Sequence, residues 1–184
     1  MKRSHLKREI VEIFVFCILI FLVLRFVVQS YQVQGIAMTP GLQKDENVMV
    51  NKITYLFHGP ERGDVIVFHY PYADRTSDYV LRVIGLPGDT IKTDLTHLWI
   101  NNVELKEPYI TKSANLAGQI WTVPPNQYFV LCDNRLVSDD SRTWGFVPKD
   151  FIVGKAIIVY WPFNKFALIN TYANAFQSLP TKQK

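Results

Sequence analysis

The sequence predicts a mostly β domain behind one amino-terminal transmembrane helix. Three observations carry the prediction. One apolar run near the start approaches the roughly 20 residues that cross a bilayer. After it, short apolar and β-branched runs alternate with Gly, Pro, Asn and Asp punctuation. Ten prolines in 184 residues disfavour a helical bundle.

Residues 1–9 form a basic tail, with Lys2, Arg3, Lys7 and Arg8 against Glu9. Residues 10–28 are the predicted membrane span, with an uninterrupted apolar core, Ile13–Leu24. Glu12 and Arg25 lie near its ends, where long side chains reach headgroups. Basic residues ahead of the run predict a cytoplasmic amino terminus and an extracytoplasmic domain. The run exits through Val27-Val28-Gln29-Ser30-Tyr31, without the small residues of a signal-peptide cleavage site. An uncleaved signal anchor is therefore expected, with a buried core helix as the competing reading.

Residues 30–163 are read as one β domain. Expected strands are Asn47–Val50, Val65–Tyr70, Tyr79–Ile84, Leu98–Ile100, Tyr128–Leu131 and Ile152–Tyr160. Asn101-Asn102 suits a two-residue hairpin between Leu98–Ile100 and Val103–Leu105, because asparagine tolerates positive φ. Residues 164–184 form a tail. Phe166, Ile169, Ala173 and Phe176 share a helical face there, so Phe166–Leu179 reads either as a helix or as loosely ordered chain.

The formal charge of +4 suggests nucleic acid at first sight, but most of it sits on the tail. The domain is close to neutral, so no nucleic-acid partner is expected. Cys17 lies in the span and Cys132 in the domain, too far apart to pair. His5, His58, His69 and His97 are scattered, and no Cys/His cluster has zinc spacing. Neither metal nor cofactor is expected.

Four segments carry a resemblance: Gly35-Ile36-Ala37-Met38-Thr39-Pro40, Arg62–Phe68, Tyr79–Asp89, and Cys132-Asp133-Asn134-Arg135 running on through Ser138, Asp140-Ser141-Arg142 and Gly145. In this order behind an anchor, they resemble the type I signal peptidases. Tyr160-Trp161-Pro162-Phe163 is similar to the short Gram-positive members. The resemblance implies a β-rich catalytic domain at the outer membrane face that cuts signal peptides after small side chains. It also implies a serine nucleophile and a lysine base, with no metal. Lysine acts as a base only where burial depresses its pKa toward neutrality.

Both halves of that dyad are replaced. Ala37 stands at the serine position and Leu81 at the lysine position. Neither a methyl group nor an isobutyl group can attack a carbonyl or take a proton. Thr39 would lie about 6–7 Å along an extended strand from position 37, too far for the same attack. Arg82 stays protonated. Ser138 and Ser141 belong to the fourth motif, where family serines support the lysine, so Ser141 is expected to have lost a partner. Cys132 occupies a usual glycine position and would be strained if that position needs positive φ.

The resemblance further implies that Met38, Leu42, Tyr79 and Val80 line a pocket for small side chains, with plain core packing as the alternative. An extended peptide would pair with the strand around Tyr79–Val83. Two functions remain open. One is an inactive homologue that binds exported preproteins or surface-assembly proteins at the membrane lipid. The other is a genuine signal peptidase, carrying laboratory substitutions or using an unconventional nucleophile.

Overall fold

The structure is a computed structural model that describes residues 2–72, 77–94, 96–110 and 118–180. Met1 and the last four residues of the 164–184 tail lie outside the described residues. Helix α1 (Lys2–Val27) contains the apolar stretch Arg8–Val27, none of whose residues is buried in the domain. Among the described residues it is the one helix long and apolar enough to cross a membrane. It runs directly into β1 (Val28–Gln32), and the Val27 carbonyl accepts the Lys52 N–H.

The chain continues through β2 (Asn47–Asn51), α2 (Thr54–Phe57), β3 (Val65–His69), β4 (Asp78–Gly85) and β5 (Thr90–Thr93). Next come β6 (Leu98–Ile100), β7 (Val103–Glu104), β8 (Ile120–Thr122), β9 (Gln127–Leu131), α3 (Ser141–Trp144) and β10 (Val147–Pro148). Strands β11 (Ile152–Trp161) and β12 (Ala167–Leu168) and helix α4 (Ala173–Phe176) complete it. All six expected strands form, within a residue or two of their expected ends. The β6–β7 hairpin turns through Asn101 and Asn102 at φ 51° and 69°, as the asparagine pair predicts.

The main sheet has the order β1-β2-β11-β3-β4-β9-β10, with β12 on β11. A second sheet has the order β7-β6-β5-β8. Strands β4 and β9 separate two apolar cores. Leu81, Val83 and Val130 enter one core, while Ile84, Phe129 and Leu131 enter the other. Burial on both faces explains why these strands read as continuous apolar runs rather than alternating ones.

The tail differs from the helical expectation. Only the single turn α4 forms within Phe166–Leu179. Phe166 is exposed, whereas Phe176 and Leu179 are buried in the second core. The apolar spacing marks an irregular strap instead. It is fixed through backbone oxygens: Asn170 accepts from Arg82 Nη1 at 2.9 Å and Pro180 from Arg62 Nη2 at 3.2 Å. Gly63 lies under the strap at φ 89°, where an added Cβ would meet the Thr171 oxygen at 2.1 Å, so only glycine fits.

Candidate functional site

A cleft of about 680 Å³ runs between residues 30–38 on one wall and 77–81 on the other, with Val137 and Asp139 at its rim. Backbone geometry explains the opening. The Val83 N–H bonds to Asp64 O and the Tyr70 N–H to Ser77 O, so the odd-numbered residues of β4 face β3. Arg82 faces β9. The pairing with β9 covers Arg82–Gly85 only, which leaves the N–H and C=O groups of Asp78 and Val80 turned to the cleft. The strand edge available to a peptide is thus Asp78–Leu81, shorter than the expected Tyr79–Val83. On the far wall, Val27 and Val33 bond toward β2, which turns the backbone of Ser30 and Gln32 outward. The sheet curls enough to bring β1 and β4 to opposite walls although three strands separate them.

Four of the expected pocket and dyad positions gather here. Ala37, Tyr79, Val80 and Leu81 all line the cleft, and Met38 joins them with its side chain in the core. Leu42 does not. It is fully buried and lines a separate pocket of about 170 Å³ beside Arg82 and Ile169. Leu81 is 1% exposed and pairs with Ile66 on β3. Carrying the β4–β9 register one step past Arg82↔Leu131 sets Cys132 beside it.

The first motif is a turn rather than an extended strand. Thr39 N–H bonds to Ile36 O and Leu42 N–H to Met38 O. Thr39 Oγ1 also donates to Ile36 O, at 2.8 Å, and Thr39 does not line the cleft. The strand spacing between positions 37 and 39 therefore does not apply. Asn134 of the fourth motif holds this turn, its N–H bonding to Ala37 O at 2.9 Å and its Nδ2 donating to Ile36 O at 3.3 Å.

Arg82 leaves the cleft altogether. Its guanidinium makes a bidentate pair with Asp133 at 2.8 and 2.7 Å and lies 4.6 Å from the centre of the Tyr109 ring. Ser141 is buried but not orphaned, because its Oγ accepts the Val130 N–H at 3.0 Å. The expected loss of a partner is not found. Ser138 is exposed, and its carbonyl accepts the Thr143 hydroxyl. Cys132 is not among the positive-φ residues, so the expected strain is absent. Its N–H bonds to Asp140 Oδ2 at 3.0 Å. Burial, then the Asp140 charge, push its thiol pKa far up, which leaves it unreactive.

Among the cleft residues that sequence reasoning missed are its two carboxylates, Asp78 and Asp139. Asp139 accepts the Tyr79 hydroxyl at 2.9 Å. The Tyr79 phenol is pushed up to about 12 by burial and by this carboxylate, so it remains a donor. Asp78 lies 2.6 Å from His69 Nδ1. The doubled acid Asp139-Asp140 in the fourth motif was the available signal, but nothing in the sequence tells that one turns outward and the other caps α3.

The class these features define is a β domain with an open cleft, edged by unpaired strand, a short distance beyond a helix long and apolar enough to cross a membrane. The chain matches the model of the family described as signal peptidase, peptidase S26, over residues 6–161. It is 36% identical to signal peptidase IB of Staphylococcus aureus (strain N315) over 184 residues, covering 89% of this chain and 94% of that protein. It is 42% identical to signal peptidase I of Bacillus caldolyticus over 152 residues, covering 75% and 82% respectively. A crystal structure of a signal peptidase I from Enterococcus faecalis V583 is 37% identical, with a TM-score of 0.44, covering 52% of this chain and 95% of that one. The chain belongs to the signal peptidase S26 family.

Proposed function

We propose that this protein is a non-catalytic signal peptidase homologue that holds exported, signal-peptide-bearing polypeptides at the outer membrane face. The observation that carries the reading is the chemistry of the cleft wall. Ala37 and Leu81 face one cleft at the two dyad positions, and no lysine or arginine lines it among the described residues. The hydroxyls nearby do not replace the dyad. Ser30 Oγ is engaged with the Tyr160 hydroxyl at 2.6 Å, and no base lies beside Ser77 in any described hydrogen bond. Met38, Tyr79 and Val80 supply apolar walls, and the backbone of Val80 and Asp78 supplies a ladder for an extended peptide.

Orientation rests on the basic tail and on the short helix α2. Leu56 and Phe57 are exposed on α2, and Lys52, two residues ahead of that helix, bonds through its N–H to Val27 O in the last turn of α1. Two apolar side chains at that level suit the acyl–headgroup boundary and the basic tail suits the cytoplasmic side. Protease added to intact protoplasts should remove the domain; resistance until lysis would reverse the topology.

The binding test uses the full chain in detergent and a labelled peptide with an Ala-x-Ala segment. Anisotropy should rise on binding, and chromatography should recover the peptide intact. Val80→Asp should abolish binding, since it places a charge against an apolar wall. Equal binding by both proteins would remove the cleft from the function.

A further inference from the structure

The walls of the cleft are not neutral. Two carboxylates, Asp78 and Asp139, line it, and no cationic side chain does among the described residues. Asp139 is exposed, and its described partner is the neutral Tyr79 phenol; it takes part in no ion pair among the described residues. Among the described residues Asp78 contacts His69, and both are partly open to solvent. The charge of Asp78 reaches the opposite wall, where it adds to burial in raising the pKa of Tyr31. The aromatic side chains sit beside these acids: Tyr79 stacks on Tyr70 at 5.1 Å, and Tyr31 lines the facing wall.

Strand geometry decides how a peptide would meet the two acids. Successive side chains of an extended peptide point to opposite faces of the ladder. Tyr79 and Asp78 are neighbours on β4, so the Asp139 carboxylate, held by Tyr79, and the Asp78 carboxylate lie on opposite faces. A peptide laid against Asp78–Leu81 thus passes one acid on each face. Resting on the peptide-cleft reading above, we propose that the cleft selects segments carrying a lysine or arginine side chain. Asp139 is the specificity-determining group, and Asp78 is a second acceptor on the other face.

The attraction is modest because Asp139 faces solvent. An exposed ion pair corresponds to about a fivefold preference at low salt, and screening within about 10 Å at 0.1 M ionic strength weakens it further. The test measures three peptides that share an Ala-x-Ala core and differ at one flanking position, as lysine, norleucine or glutamate. Each is titrated into the full chain in detergent at 20 and 500 mM salt. The lysine peptide should bind about fivefold more tightly than norleucine at low salt, and the glutamate peptide more weakly than either. The lysine-to-norleucine ratio should fall toward one at 500 mM salt and in Asp139→Asn, whose folding is checked by thermal unfolding. Equal affinities for all three peptides in the parent would overturn the charge selection and leave the peptide cleft standing. A preference that survives in Asp139→Asn and in Asp78→Asn would place the selection elsewhere. Failure of every peptide to bind would remove the cleft reading and this inference together.

Discussion

Ala37→Ser combined with Leu81→Lys should restore preprotein cleavage, and the cost of the lysine follows from its surroundings. Position 81 is 1% exposed, between Ile66 on β3 and Cys132 beyond the end of β9. Full burial lowers a lysine pKa by up to 3–5 units. Asp139 opposes this, but it is exposed at the rim, and a screened carboxylate counts for less than burial. A fall of about three units from about 10.4 places the amine near neutrality, where it can serve as a base, at about 4 kcal/mol of stability at pH 7. The sign is definite: the unfolded chain binds the proton and the folded chain does not, so stability rises with pH from the folded pKa up to about 10.4. Thermal unfolding of Leu81→Lys at pH 7 and pH 10 should show the gap to the parent narrowing. Cleavage of a preprotein in detergent should then be undetectable in the parent and in both single variants. The double variant should exceed either single on the order of a thousandfold, because dyad members act as one unit. Its rate should increase with pH through the depressed pKa. A stability gap independent of pH would mean that the lysine reaches water and the burial argument fails. Cleavage by the parent would refute the non-catalytic reading itself.

Three further outcomes test the struts around the cleft. Asp133→Asn leaves the Arg82 guanidinium, 2% exposed, without its counter-charge and should cost about 3–5 kcal/mol in chemical denaturation. Ser141→Ala strips the acceptor from the buried Val130 N–H and should cost about 1–3 kcal/mol by the same measurement; an unchanged midpoint would deny the bond its role. Cys132→Gly should destabilise by about 1–3 kcal/mol, because the position is buried and not at positive φ, and a gain in stability would show strain that the backbone does not display.

Long-period signals were legible in the sequence and single-residue orientations were not. The span, the six strands and the asparagine hairpin each rest on several residues that agree. Strands β5 and β8 escaped notice because they are four and three residues long and carry threonines where an apolar run would show. The strap of 164–180 mimicked a helix because buried Phe176 and Leu179 fall at helical spacing while irregular backbone puts them into the second core. At the site, the structure brings Ala37, Met38, Tyr79, Val80 and Leu81, named from their motifs, to one cleft. Leu42 lies apart from that cleft, because the turn at 36–42 sets it beside Arg82. Asp78 and Asp139 were missed because a carboxylate at a strand end or a turn has no periodic signature.

The motif residues divide by what their side chains hold. Arg62 pairs with Asp89, which also accepts Leu86 N–H and Asn101 Nδ2, and so ties the two sheets together. Asp64 receives the Tyr55 hydroxyl and lies 2.5 Å from Lys155 Nζ, fixing β3 to β11. Asp140 caps α3, takes the Cys132 N–H and pairs with Arg142. Asn134 holds the turn at Ala37. Each of these groups is buried or half-buried and would leave unpaired partners if lost, so each is bound to the fold as much as to any reaction. Ala37 and Leu81 differ in kind. No described side-chain hydrogen bond or ion pair involves either position; an alanine and a leucine there demand no partner, and a leucine fills the space of a lysine stem without the desolvation of an amine. On the proposed reading, alanine and leucine at the dyad positions remove catalytic groups without disturbing any of these struts. On the same reading, a cleft that keeps its apolar walls, its strand edge and its two carboxylates while alanine and leucine stand at positions 37 and 81 suits a protein that holds a peptide rather than cutting it.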